Sequence, residues 1–567
     1  MIAIRNKLLF TTIVAALTAC GGGDINVSPV TQDTSVDNSV TNSNNVAAPV
    51  TSVNCAFYIN EAGQTIEGNF DGLDCIYAST FVDAGNNLTF DLTIPKLDNG
   101  GVHVFQGSLF VGETYDTDAK LAAAGISKGG DGPTLTIEAG ATLAFTSTKQ
   151  FLIVNRGSQI FAAGTQLEPI TLTSISDVES GRAAAPTLAF DAVQQWGGVV
   201  INGFGITNKC AYTGTVAAGD LATTDCHVDA EGAAGLDESQ YGGADNTDSS
   251  GRLEYVIVKH PGAEVANGDE LNGISFGGVG SNTIVNNLEV YSSYDDGIEM
   301  FGGAVNINNF VAMYVRDDSI DIDEGYAGTI TNALVIQSET DGDHCIESDG
   351  VGSWTAPVGL AAVAQGLMSA PTINNLTCIT STNTAATGTH SQGHGFLFRE
   401  DIQPTINNTL MISAFSVEDP AAGNYCLRLD KGTPQAAQDG KVQLNSVIFA
   451  CVEPTSGDTL PNLTTQQAWA ESVGAQFATV VSADDVTATS NTALVLLEGT
   501  PAIYSVAFAN MLVDGAAPTA SAPVGGAAYI GALSTSALDW TAGWTYGIHA
   551  GQRALDASGN DVALWFE

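Results

Sequence analysis

An internal repeat limits what this chain can fold into more than any other feature. Six short runs can be laid under one another: Gly273-Ile274-Ser275-Phe276, Gly297-Ile298-Glu299-Met300-Phe301, Ser319-Ile320-Asp321-Ile322-Asp323, Cys345-Ile346-Glu347-Ser348-Asp349, Gly395-Phe396-Leu397-Phe398-Arg399 and Cys426-Leu427-Arg428-Leu429-Asp430. Each carries apolar residues two apart, the period of a strand. Between them a second run recurs, beginning at Ile284, Val305, Ile330, Ile373 and Ile406, with an Asn near its centre. Ile298 and Ile320 are 22 residues apart, and Ile320 and Ile346 are 26 apart. Self-similarity at this period means a repeat architecture.

One such unit cannot bury its apolar face alone, but stacked units share a continuous core. Strands of successive units then pair in parallel, about 4.8 Å apart. The recurring Asn pairs suit corners, because Asn tolerates left-handed backbone, and stacked Asn side chains can form an amide ladder. The expected fold is all-β: a right-handed parallel β-helix with N- and C-terminal caps. A β-sandwich is the alternative, but sandwiches do not repeat their sequence in phase.

The N-terminus reads as an export signal. Arg5 and Lys7 precede an apolar run, Leu8 to Ala19, too short to span a bilayer. The run ends Leu17-Thr18-Ala19-Cys20-Gly21, which resembles the lipobox of bacterial lipoproteins. That resemblance implies a signal peptide over 1–19, acylation of Cys20 and, with Gly21 following, a lipid anchor in the outer membrane. Residues 20–54 lack aromatics and periodicity and read as a disordered tether. Residues 55–130 read as an N-terminal cap, 131–453 as the β-helix, and 454–567 as C-terminal coils and cap. A helix is expected near Gln466 to Phe477. The aromatics Trp540, Trp544, Trp565 and Phe566 are expected to cap the last coil, or alternatively to stack on sugars. Residues 204–250 read as a long loop.

Acidic residues outnumber basic ones 62 to 17, for a formal charge of −45. Nucleic acid is therefore excluded as a partner, since phosphate binding needs cations. Eight cysteines remain besides Cys20, an even number that in an exported chain suggests disulfides. Pairing neighbours in sequence gives Cys55–Cys75, Cys210–Cys226, Cys345–Cys378 and Cys426–Cys451.

The stretches TLTIEAGATL, FLIVNRGSQIFAAGT, WGGVVING, YGGADNTDSSGRLEYV, GISFGGVGS and DDGIEMFGG, from about Thr134 to Gly325, resemble a group of bacterial secreted β-helix lipoproteins. The resemblance implies fold and surface location and carries no chemistry.

Alternation supplies the chemistry. With Ile298, Ile320 and Ile346 inward, Glu299, Asp321 and Glu347 point outward in one column, and Asp323 and Asp349 in the next. Asp295, Asp317 and Asp343 form a further column, and Asp296, Asp318, His344 and His394 another. Two unit charges about 5 Å apart repel by roughly 0.8 kcal/mol in water, and by about 3 kcal/mol at an effective dielectric near 20. Such a face needs an offset: raised pKa values, Ca²⁺, or a cationic group of a substrate. Ca²⁺ held by Asp295, Asp296, Asp317, Glu299, Asp321 and Glu347 is the expected one, with free solvated carboxylates as the alternative. Further along, Asp349, Arg399 and Asp430 are expected to form a salt-bridge ladder.

The order Asp318-Ser-Ile-Asp321, Gly342-Asp343-His344, Gly393-His394-Gly395 and Arg428-Leu-Asp430 is similar to that of polygalacturonase-type glycoside hydrolases. Carried over, the resemblance makes Asp343 a general acid, Asp318 part of the base pair, and His394 and Arg428 substrate-binding. An inverting pair needs roughly 6.5–9.5 Å between its carboxyl groups. The chain departs from the pattern at His344, where the family has a second Asp, and at Asp430, where it has a Lys. His344 and His394 with Asp318 also form a candidate transition-metal set.

The sequence therefore points to a surface lipoprotein that binds Ca²⁺ and an extended partner, a polysaccharide or a surface protein. A polysaccharide-cleaving enzyme and a structural or adhesive protein are the rival classes.

Overall fold

A computed structural model describes residues 55–567, apart from 83–84, 232–238, 267–268, 353–354, 382–392, 414–423, 463–464 and 481–493. Cys20 and the expected signal and tether lie outside the described residues. No helix among the described residues is long and apolar enough to cross a membrane.

The chain winds into a parallel β-helix. One wall is a ten-stranded sheet running from Leu109–Val111 through Ile274–Gly277, Ile298–Phe301, Ile320–Asp323, His344–Asp349 and His394–Arg399 to Tyr425–Leu429 and Glu453–Gly457. Its register is the one the repeat implies: Ile298 pairs with Ile320, Glu299 with Asp321, Asp321 with Glu347, and His344 with His394. The opposite, sixteen-stranded sheet has two branches that merge at strand Gly251–Lys259. Upstream, each turn contributes two short strands, such as Thr134–Ile137 and Thr142–Phe145. From Ile284–Tyr291 onward a single eight-residue strand serves both faces.

The bend in that long strand explains the recurring asparagines. Asn287, Asn309, Asn332, Asn375 and Asn408 all take left-handed backbone, with φ between 52° and 60°. Asn pays little for this conformation. Each amide also donates to the one below: Asn309 to Asn287, Asn332 to Asn309 and Asn375 to Asn332 at 2.9 Å, and Asn408 to Asn375 at 3.0 Å. Asn332→Ala should cost about 2–3 kcal/mol, combining left-handed strain with the ladder bonds. Asn332→Gly should cost less, since it removes only the bonds. Urea unfolding of the two variants checks this, and an Ala variant as stable as the Gly one would refute it.

Stacking repeats side chains inside as well. Tyr77, Phe105, Phe145 and Trp196 form a continuous aromatic column, with centroids 4.6, 5.7 and 4.6 Å apart. All four expected disulfides are present, with Cα–Cα distances of 5.4–6.2 Å. Their presence places the chain in an oxidising, extracytoplasmic setting.

Both ends of the stack carry paired strands. Residues 55–130 include an antiparallel hairpin, Phe57–Ile59 with Thr65–Glu67, but Cys75–Tyr77, Leu92–Ile94, His103–Phe105 and Leu109–Val111 already pair in parallel. Past Pro454 the stack continues: Glu453–Gly457 pairs with Tyr425–Leu429, and Ala475–Phe477 with Gln443–Ala450. The expected helix stops at Ser472, because Ala475–Phe477 is needed as a strand.

Residues from about 494 onward lie across the outer side of the sixteen-stranded sheet. Ile503, Ala532, Leu533, Ile548 and Leu564 pack on Tyr291, Val311, Met313, Leu334, Ile336 and Ile379. Met511, Val513 and Ile530 pack on Leu410, Ile412 and Ile448. Trp544 is buried, and Trp540 and Trp565 donate to Ala532 O and Gln337 O at 3.0 Å. These aromatics secure the covering segment, and the sugar-stacking alternative is not what the packing shows.

Candidate functional site

The outer side of the ten-stranded sheet carries the acidic columns. Asn272, Asp296, Asp318, His344, His394 and Tyr425 each stand two residues before the inward apolar residue of their coil. Side chains of this column accept backbone N–H groups of the next coil. Asn272 Oδ1 accepts from Asp296 at 3.3 Å, Asp296 Oδ1 from Asp318 at 3.0 Å, and Asp318 Oδ1 from His344 at 2.7 Å. These bonds hold acids at the mouth of a corner where an unpaired N–H would otherwise be stranded.

The carboxylates converge in overlapping groups. Ligand oxygens of Asp295, Asp296 and Asp317 lie within 4.8 Å of one another, as do those of Asp296, Glu299 and Asp321, and those of Asp317, Asp318 and Asp343. Five of the six residues expected to hold Ca²⁺ thus fall into two groups sharing Asp296. The sixth, Glu347, groups instead with Asp318 and His344. All-oxygen donors from adjacent coils suit a hard cation.

Burial, more than neighbouring charge, sets the protonation of this face. It raises the pKa values of Asp296, Glu299, Asp318 and Asp321 well above the carboxylate range, and neighbouring acids add to the effect at Asp296, Glu299 and Asp321. Asp323 is pushed up to about 7 by burial, then by Glu324 and Asp349. Asp349 is raised to about 6 by burial, against the opposing effect of Arg399. Burial works against the charge of His344, but Asp318 and Asp343 outweigh it and hold the imidazole well above its usual value.

His344 marks the point where the face begins to carry its own cations. Its Nδ1 lies 2.9 Å from Asp318, 3.0 Å from Asp343 and 3.3 Å from Glu347, and its Nε2 lies 2.7 Å from the Tyr425 hydroxyl. Arg399 binds both Asp349 and Glu347, and Arg428 donates to Asp430 at 2.6 Å. The expected Asp349–Arg399–Asp430 ladder is therefore corrected: Asp430 pairs with Arg428, two residues away on its own strand.

The residues of the hydrolase-like order lie on adjacent coils of this face. One oxygen of Asp318 and one of Asp343 lie within 4.8 Å of each other, in a group with Asp317. Asp318 also spends Oδ1 on His344. His394 stacks on Tyr425, centroids 4.0 Å apart, and burial, reinforced by the His344 charge, lowers its pKa to about 4. Its ring lies 5.3 Å from that of His344, but among the described residues it joins none of the groups whose ligand atoms fall within 4.8 Å of one another.

Three participants escaped the sequence reading. Tyr425 and Asn272 were legible, since they keep the spacing of His394 and Asp296. Glu231 was not, because it comes from the long loop. Asn272 Nδ2 joins it to the face, 2.7 Å from Glu231 Oε2 and 2.6 Å from Glu299 Oε2.

Stacked parallel coils define the class of parallel β-helix solenoids. The chain belongs to the family described as the pectate-lyase like beta helix domain, whose model matches residues 111–545. The match extends well beyond the stretch from Thr134 to Gly325. Comparison with curated proteins and with solved structures finds no match.

Proposed function

We propose that the protein is a surface lipoprotein, anchored through Cys20, whose acidic face binds Ca²⁺ and through it an extended anionic polysaccharide. The convergence of Asp295, Asp296, Asp317, Glu299 and Asp321 oxygens within 4.8 Å in two groups carries the reading. Ca²⁺ takes about six to eight oxygen ligands, so three carboxylates leave positions for the oxygens of a partner. The run of the face along the coils suits a linear partner, and the family's description supports a polysaccharide.

Titration of the chelator-treated protein with CaCl₂ in a calorimeter at neutral pH tests the cation. Saturable heat, lost in Asp296→Asn, is expected. No heat from the wild-type protein would remove the proposal. Retention of the protein on immobilised polygalacturonate only when Ca²⁺ is present tests the partner.

A further inference from the structure

A second concave site lies at the N-terminal end of the stack, away from Asp296 and its neighbours. Two adjoining cavities, of about 840 and 430 Å³, share Thr89, Phe90 and Glu113 in their walls. The first reaches the hairpin Phe57–Ile59 with Thr65–Glu67, which supplies Tyr58, Glu61 and Ile66. The second reaches Pro133 and Arg156. Glu113 follows Leu109–Val111, the terminal strand of the ten-stranded sheet.

Phe90 is half-buried and lines both cavities. Its ring stacks on Tyr58, with centroids 6.1 Å apart, and Tyr58 is itself fixed by donating its hydroxyl to Phe81 O at 2.7 Å. Four acids and a single base surround this ring. Two of the acids are already engaged: Asp91 Oδ1 accepts the Thr134 N–H at 2.9 Å, and Asp131 Oδ2 accepts from Ser127 Oγ at 2.8 Å. The base, Arg156, is engaged as well. Its guanidinium donates to Cys226 O, Gly242 O and Tyr115 O at 3.0, 2.8 and 2.7 Å. Glu61 and Glu113 are exposed and make no hydrogen bond or ion pair among the described residues. Asn87 donates its amide to Gly112 O at 3.0 Å, and Asn86 donates to Thr80 O and Phe81 O at 3.3 Å, so each holds its side-chain oxygen beside the larger cavity.

We propose that this cleft binds a chain of amino sugars of the oligoglucosamine type. It offers acceptors, negative charge and one ring, and its only cation is spent on carbonyls, so an anionic ligand is disfavoured. Ammonium groups of the sugar pair with Glu61 and Glu113, hydroxyls donate to Asn86 and Asn87, and a pyranose face lies on Phe90. The two carboxylates have no protein partner to share their charge with, and a concave wall displaces part of the water that would screen it. A lysine peptide or a polyamine supplies the charge without a rigid face for the ring.

Calorimetry of the full protein with glucosamine trimer tests this, in low-salt, mildly acidic buffer with a chelator present. Saturable binding of one trimer per chain is expected. The double variant Glu61→Gln/Glu113→Gln should bind about tenfold more weakly. It should keep the wild-type Tm, since neither carboxylate has a bond to lose. A control pair of the same charge change, Glu471→Gln/Glu498→Gln, removes two exposed acids of the C-terminal region and should leave the affinity unchanged. No binding by the wild-type protein would overturn the site. An equal loss in the control pair would reduce the binding to net charge and overturn it too. Trilysine bound as tightly as the trimer would overturn the sugar, and N-acetylated trimer bound as tightly would overturn the pairing with Glu61 and Glu113.

Discussion

In calcium-free buffer the protein should lose stability as the pH rises from about 5 to 8, and regain it when Ca²⁺ is added at pH 8. The sign follows from the direction of the shifts. Asp296, Glu299, Asp318, Asp321, Asp323 and Asp349 all have folded pKa values above their unfolded ones. A carboxyl group raised in this way contributes stability that is full below its unfolded pKa and disappears as the pH climbs through the folded value. For Asp349 and Asp323 that loss is complete near pH 6 and 7 respectively. A rise from 3.8 to about 7 at Asp323 corresponds to something on the order of 4 kcal/mol between its protonation states. Asp74 and Asp177 are lowered instead, and their contribution fades only in stronger acid, so they do not offset the trend in this window. Ca²⁺ binds the ionised form, so its effect should grow with pH and reach about 2.7 kcal/mol at a hundred times Kd. Asp321→Asn should raise the calcium-free Tm at pH 8 and shrink the Ca²⁺ response. Thermal melts across this range with chelator and with Ca²⁺ decide the matter: a calcium-free Tm that climbs toward pH 8 would contradict the account.

Ending the chain after Ala478 should be more damaging still. The outward residues Tyr291, Val311, Met313, Leu334, Ile336, Ile379, Leu410, Ile412 and Ile448 would lose the segment that covers them. Each such side chain gains about 1.5–3 kcal/mol from burial. The surface laid bare would cross six successive coils, more contiguous apolar area than a soluble monomer tolerates. Aggregation on size-exclusion chromatography and strong binding of a hydrophobic dye are expected. A monomeric truncated protein with an unchanged Tm would show that the segment is dispensable.

This covering role was open to the sequence in one respect. The second halves of the long strands, such as Phe310-Val311-Ala312-Met313 and Ala333-Leu334-Val335-Ile336, are continuous apolar runs rather than alternating ones. Such runs mean burial on both faces. What covers the outer face was not legible, because residues 494–567 have no repeat of their own to set beside the coils.

The acidic face divides along the same line. Its columns follow from spacing alone, since a strand period of two and a coil of 22 or 26 residues place Glu299, Asp321 and Glu347 in register whatever surrounds them. Tertiary structure decided how deeply those carboxyl groups are buried and which of their oxygens converge. It brought Glu231 in from the loop, turned His344 toward Asp318, and sent Arg399 to Glu347. Register is a property of the backbone repeat and is written along the chain. Depth, pairing and protonation depend on side chains from distant segments, and their sum is settled only once the coils have closed.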